Sequence, residues 1–206
     1  ELFPVQAMSR REREHLDGAG RAPLSPGVRG HSPPVDGDAK TAEIPIQPAL
    51  TGHLVLSTLH TNDAAGAITR LIDMGIPPFL VSSALTLILA QRLGRKICKD
   101  CKQPYDADEE TLVPYGHVLQ GLGKVQLYKG KGCPACSFTG MKGRVAIYEV
   151  MPITEELRNL MLHNAPTADI REMALSQGMK TLRQNALQKV LEGVTTVEEV
   201  LRVTVS

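Results

Sequence analysis

The sequence predicts an α/β protein assembled from unlike segments, and three observations carry that prediction. HLVLSTLH (His53–His60) alternates with apolar residues on both faces, the pattern of a buried parallel strand, and helical spacing follows it at once. Residues 97–150 hold all four cysteines with many glycines and lysines, and contain strand-like runs at Val125–Tyr128 and Arg144–Val150. Beyond Pro152 the apolar residues return at helical intervals. These shifts divide the chain into an irregular stretch over 1–40, an α/β stretch over 41–96, a cysteine-rich module over 97–150 and a helical region over 151–206.

Each segment has a local reason. In the first, Arg10, Arg11 and Arg13 alternate with Glu12 and Glu14, which suits a solvated face. Gly18, Gly20, Pro23, Pro26, Pro33 and Pro34 follow with few large apolar residues between them, so little burial offsets ordering entropy. In TAEIPIQPALTG, Ile46, Ala49 and Leu50 have helical spacing, but Pro45 and Pro48 each cost a helix interior about 3 kcal/mol, which argues against a straight helix. Thr61, Asn62 and Asp63 offer cap chemistry for a helix over Ala64–Met74 with Ile68, Leu71 and Ile72 inward and Gly75 at its end. Pro77–Pro78 opens a second helix with Leu80, Ala84, Leu85, Ile88 and Leu89 inward. Later stripes are Leu157, Leu160 and Met161, then Ile170, Met173 and Ala174, then Leu187, Val190 and Leu191. Thr196 and Glu199 have capping-box spacing for a last short helix.

The chain has 206 residues, room for one domain or two small ones at about 100–200 residues each. Lys+Arg number 23 against 22 Asp+Glu, so the whole-chain charge points to neither a nucleic-acid nor an acidic-membrane partner, and aromatics at 3% with no Trp supply few stacking rings. Seven of 14 prolines fall in the first 50 residues, so the average composition describes two different regions. Phe79–Ala90 is too short for a span of about 20 apolar residues and contains Ser82, Ser83 and Thr86. The N-terminal ELFPVQAMSRREREHLDG lacks the apolar run of a signal peptide, so the expectation is a cytoplasmic chain with reduced thiols.

Cys98-Lys-Asp-Cys101 and Cys133-Pro-Ala-Cys136 are two C-x2-C knuckles. Each brings two thiolates close enough to share one tetrahedral Zn²⁺, and the two pairs complete a closed four-cysteine shell. Their spacer, residues 102–132, exceeds the usual ribbon range of about 15–20 residues, but a hairpin fits between the knuckles. Lys96, Lys99, Lys102 and Lys131 would offset the negative charge of the unit. The alternatives are two disulfides, a redox pair or four unrelated thiols. A reducing compartment disfavours disulfides, and two knuckles with no other cysteine favour metal. A closed shell leaves no position for water, so the zinc is expected to be structural.

The run TAEIPIQPALTGHLVLSTLHTNDAAGAITRLIDMGIPPFLVSSALTLILAQRLGRKIC resembles the motor ATPases of type II secretion and type IV pilus assembly, the general secretion pathway protein E family. The resemblance continues through the cysteine pairs and GMKGRVAIYEVMPIT into the C-terminal helices, covering roughly Thr41 to Ser206. It implies the end of a RecA-like P-loop core over 41–96 with an inserted zinc module and a helical C-terminal region. It also implies ATP and Mg²⁺ as cofactors, a hexamer of motor subunits, an inner-membrane platform partner and a place at the cytoplasmic face of the inner membrane. LSTLHTND matches the family's His box, so His60 would sit near the nucleotide phosphate and couple hydrolysis to movement. Without the family, His60 reads as a hydrogen-bonded histidine at a strand end. His53, Arg144 and Glu149 also match family positions; His53 is read as structural, and Arg144 and Glu149 as packing and ion-pair residues.

The departures are as informative. The phosphate loop G-x-x-x-x-G-K-S/T is absent: Gly116 and Gly121 have the interval, but Leu122 stands where Lys is needed. Where the family has an apolar strand and then Gly-Glu-Ile-Arg-Asp, this chain has Gly30-His31-Ser32-Pro33 and then Pro34-Val35-Asp36-Gly37-Asp38. Val35 replaces the glutamate that would polarise water. These departures lead to the expectation of a truncated, frameshifted or degenerate motor sequence without ATPase activity of its own. The competing expectation is a non-catalytic zinc-stabilised module that docks on the motor or its platform. Without earlier strands, residues 41–96 are expected to expose an apolar edge.

Overall fold

The computed structural model describes residues 30–31, 39–107 and 125–204. In chain order the elements are β1 (Gly30–His31), α1 (Ala39–Leu50), β2 (Val55–Leu56), α2 (Ala64–Asp73), α3 (Pro78–Ala84), β3 (Leu87–Ile97), β4 (Lys102–Ala107), β5 (Val125–Gly130), β6 (Met141–Pro152), α4 (Glu155–Leu162), α5 (Thr167–Ser176), α6 (Leu182–Leu191) and α7 (Val197–Thr204). A 3₁₀ turn at Pro134–Cys136 precedes β6. Three two-stranded pairings are present, β1–β2, β3–β6 and β4–β5. The chain divides into two compact units: Glu1–Ala90 with Val150–Met179, and Gln91–Glu149 with Lys180–Ser206. The stretch expected to be helical over 151–206 is thus shared between the units, whereas most of the cysteine-rich stretch falls in the second.

In the first unit, α2 follows its sequence signals. The Asp63 side chain accepts the Gly66 amide at 2.7 Å, and Ala64, Ala67, Ile68 and Leu71 are buried while Ile72 is only half-buried. Gly75 takes a φ of 93° just after the helix, which a larger residue would adopt only under strain. Helices α2 and α5 are joined by Thr69 and Thr167, whose hydroxyls lie 2.6 Å apart, and by an ion pair between Arg171 and Asp63. In α4, Leu157 and Met161 are buried, and the Thr154 hydroxyl caps its start.

Several expectations are corrected. Helix α1 runs through both prolines. Ala42 and Ile46, one turn apart, are buried, and that burial offsets the missing amide donors; Leu50, expected inward, is exposed. The helix then closes on the Pro48 carbonyl, which accepts the amides of Thr51 and His53. The strand expected over His53–His60 shrinks to Val55–Leu56, and Leu54 and Leu56 are 53% and 46% exposed. A buried parallel strand needs neighbours on both edges and helices on both faces. Among the described residues β2 has only β1, paired in parallel with Gly30 opposite Val55 and His31 opposite Leu56. That short strand also lies within the stretch expected to be irregular; the remainder of 1–38 lies outside the described residues. The helix after Pro77–Pro78 ends at Ala84, because Leu85 turns extended (ψ 133°) and Leu87, Ile88 and Leu89 enter β3. A short apolar run has no periodicity that separates strand from helix, and the pairing with β6 decides it.

The second unit is bound by polar links to strand backbone. In α6, Leu182, Ala186, Leu187 and Val190 are buried, and Thr181 with Gln184 forms a complete capping box. The buried Glu149 carboxylate accepts the Leu182 amide at 3.0 Å. The turn between α6 and α7 holds β3: the Ile97 amide donates to the Val194 carbonyl at 2.9 Å and the Thr195 hydroxyl to the Arg95 carbonyl at 2.7 Å. Gly193 in that turn has a φ of 67°, and a Cβ there would lie 2.5 Å from the Tyr128 ring.

Glu199 departs from the expected capping box. Its amide reaches the Thr196 hydroxyl at 3.4 Å, but its carboxylate turns inward. That carboxylate accepts the Arg95 amide at 2.7 Å and the guanidinium groups of Arg95 at 2.9 Å and Arg202 at 2.5 Å. Burial raises the carboxyl's pKa, but the two arginines and the amide outweigh it and hold the group at about 2. Because this folded value lies below the unfolded value of about 4.3, the associated stability is present at neutral pH. It is lost as pH falls from about 4.3 towards about 2. Glu199→Ala should destabilise the protein by about 3 kcal/mol in urea unfolding at pH 7. The difference from wild type should shrink at pH 3; an equal difference at both pH values would contradict the role of the charge.

Candidate metal centre

The four cysteines converge where the β4–β5 pair meets the start of β6. Strands β4 and β5 are antiparallel with Lys102 opposite Gly130 and Ala107 opposite Val125, so their pairing carries the chain out from Cys101 and back to Cys133. This is the hairpin that the long spacer called for; residues 108–124 lie outside the described residues. Leu127 and Ala107 are buried on one face of the pair. On the other, Lys102 lies 4.0 Å from the Tyr128 ring centroid, so this lysine is engaged with an aromatic ring.

All four Sγ atoms lie within 4.8 Å of one another. Cys98 and Cys133 are 3.9 Å apart, Cys101 and Cys136 3.9 Å, and Cys133 and Cys136 3.7 Å. A tetrahedral zinc with Zn–S bonds of about 2.3 Å places its sulfurs about 3.8 Å apart. Disulfide sulfurs would be about 2.0 Å apart, and the four cysteines are free. Cys98 and Cys136 are buried, and Cys101 and Cys133 are half-buried. The residues therefore fit a closed zinc shell.

Backbone donors orient the sulfurs. The amides of Cys133 and Gly140 point at Cys136 Sγ from 3.2 and 3.3 Å. Burial raises the pKa of Cys136, but those amides overcome it and bring the thiol down to about 6. Burial pushes Cys101 up to about 12, and neighbouring sulfurs add to the rise. Burial also raises Cys98. Burial thus raises two of the thiols, and backbone donors lower the third.

The fold positions both knuckles through backbone. The Cys98 amide donates to the Gly140 carbonyl at 2.9 Å, and the Lys131 amide to the Cys101 carbonyl at 3.0 Å. Gly140 has a φ of 74°, and a Cβ there would stand 2.5 Å from the Gly130 carbonyl oxygen. Nothing in the C-x2-C spacing announces this close crossing, although Gly130, Gly132 and Gly140 flanking the second knuckle are its visible trace. Sequence reasoning also missed the Asp63–Arg171 and Glu199–Arg95 pairs, whose partners are distant in sequence.

His60 has an exposed side chain in the first unit, after β2 and three residues before the α2 cap; the cysteines belong to the second unit. His53 Nδ1 lies 3.0 Å from the Thr51 hydroxyl, a local contact that fits its structural reading. Glu149 is buried with its carboxylate on the Leu182 amide, whereas Arg144, read as a packing or ion-pair residue, is exposed.

Comparison with known proteins places this geometry. The family described as "Type II/IV secretion system protein" matches residues 37–202. The chain belongs to that family. It is 49% identical over 165 residues to the type IV pilus assembly ATPase PilB of Myxococcus xanthus, covering 80% of this chain and 29% of that protein. It is 48% identical to the type II secretion system protein E of Pseudomonas aeruginosa, covering 81% and 33% respectively. This chain thus spans about a third of those relatives' length. The ATPase DotB of Yersinia pseudotuberculosis shares the fold, with a TM-score of 0.54 at 17% identity over 84% of this chain and 35% of that one. The family match begins two residues before α1 and takes in residues of both units.

The expected metal content of purified protein is about one zinc per chain by elemental analysis. A Cys98→Ser variant should lose most of it; wild-type zinc in that variant would remove the assignment. Gly140→Ala should weaken zinc retention in a chelator competition, because its Cβ displaces the Gly130 carbonyl and not a flexible side chain.

Proposed function

We propose that this chain is the C-terminal portion of a motor subunit that couples ATP hydrolysis to pilus or pseudopilus assembly. The observation that carries this reading is the family match over residues 37–202, which takes in the LSTLHTND string and the four-sulfur cluster together. In this reading residues 41–96 are the end of a RecA-like core, and the zinc is structural. The parent subunit would bind ATP and Mg²⁺, form a hexamer and act with a platform protein at the cytoplasmic face of the inner membrane. No helix of the described residues is long and apolar enough to cross a membrane.

His60 would meet the nucleotide phosphate and pass its state to α2, whose cap lies three residues on. The exposed β2 edge, with Leu54 and Leu56, fits a sheet that continues into further strands of the parent subunit. The 206 residues contain no G-x-x-x-x-G-K-S/T cradle and have Val35 at the position of the catalytic glutamate, so the chain by itself should not turn over ATP.

A second reading draws on the second unit, which is compact in its own right around the sulfur cluster. It would serve as a non-catalytic module that docks on an intact motor or its platform.

Phosphate release from the purified zinc-loaded chain with Mg²⁺ and ATP should not exceed a protein-free control. Robust Mg²⁺-dependent turnover would overturn the inactive reading. Affinity capture from cells should recover motor or platform subunits, and capture of neither would count against both readings of its partners.

A further inference from the structure

The second zinc knuckle carries a side chain that folding does not explain. Phe138 is 72% exposed, and its φ of 60° lies in the left-handed region that L side chains populate rarely. Asn or Gly would fit that backbone better, and an aromatic ring that stays in water gains no burial from the fold. The backbone beneath is fixed: the Phe138 amide donates to the Cys133 carbonyl at 2.9 Å, and the Gly132 backbone crosses against the Phe138 carbonyl. The ring is therefore held out on a rigid loop, next to exposed Pro134, Ala135 and Ser137.

The surroundings are basic. Lys99 lies in the first knuckle and Lys131 beside Gly132, and Lys142 follows on β6; all three are exposed. Asp100 faces Lys142 at 3.8 Å, an exposed pair of little net strength. Among the described residues of 91–149, the only exposed acids are Asp100 and Asp106. They stand against exposed Lys99, Lys102, Lys129, Lys131, Lys142 and Arg144, the Arg95 guanidinium being held by Glu199. Even with the two negative charges of a four-thiolate zinc unit, the described residues of 91–149 stay net positive.

We propose that the Phe138 knuckle is a membrane-contact site that inserts its ring among anionic lipid headgroups, with Lys99, Lys131 and Lys142 as counter-charges. A lone ring on an outward loop matches a thin interfacial layer, where aromatic rings settle and each nearby lysine adds attraction to anionic lipid. A protein pocket would be expected to meet a wider apolar patch. One ring and a few lysines bind reversibly, and several copies in one assembly would multiply the effect. This deepens the membrane-face placement proposed above. Its test needs no nucleotide turnover, so either can fail without the other.

The chain has no Trp, so Phe138→Trp introduces a single reporter in the zinc-loaded protein. Its emission should shift to the blue and gain intensity with phosphatidylglycerol-containing vesicles, and change little with neutral phosphatidylcholine vesicles. In co-sedimentation of the otherwise natural chain, Phe138→Asn, which suits the left-handed backbone, should weaken anionic-vesicle binding about tenfold with zinc content unchanged. Unchanged emission with anionic vesicles, equal binding to neutral vesicles, or undiminished binding of Phe138→Asn would each overturn the proposal. So would a shift produced by polyglutamate but not by vesicles, which would assign the knuckle to an acidic protein.

Discussion

Four sulfurs held within 4.8 Å of one another form the constraint on which the second unit depends. Thiols packed this closely do not ionise together in a partly buried site unless a cation balances them. Burial pushes Cys101 to about 12, while the amides of Cys133 and Gly140 draw Cys136 to about 6. Once a cation joins them, the start of β4, the end of β5 and the start of β6 are bound at one point. The spacer could then be long, because a bound metal would fix its ends and its β4–β5 pairing supplies a ladder between them. The Gly130–Gly140 crossing and the left-handed Ser137 and Phe138 are the local costs of bringing the second knuckle onto the first.

The remainder of that unit is secured by acids that meet backbone. Glu149 holds the start of α6 and Glu199 holds β3 through Arg95. Both carboxylates are buried, so each polar group left without its partner would cost more than the bond contributes. The first unit has a different character. Its helices bury Ile68, Val81, Leu157, Met161 and Ile170 beside small residues such as Ala64 and Ala65, while Leu54, Leu56, Ile44 and Leu50 stay exposed.

Much was legible in the sequence. The Asp63 cap, the Gly75 stop, the stripes of α4 to α6 and the four ligand positions all follow from short-range rules, because each depends on neighbours within one turn or one knuckle. Less legible were the elements decided by distant partners. Leu87, Ile88 and Leu89 read as helix until β6 claimed them for a strand. Pro45 and Pro48 argued against a helix that the burial of Ala42 and Ile46 sustains. Glu199 read as a helix cap until Arg95, far upstream, drew it inward.

By itself the sequence determined the residue chemistry: two thiol pairs spaced to bind a metal, a family string that contains His60 and ends at Asp63, and no G-x-x-x-x-G-K-S/T motif within the 206 residues. Spacing and residue type are enough for such features, since the ligands and caps act across a few residues. Only the tertiary structure decided which carboxylates become buried anchors, how β4 and β5 bridge the knuckles, and that Phe138 stands in water on a strained turn. Those outcomes depend on contacts between segments far apart in the chain, and on the desolvation that such contacts impose, which no local pattern records.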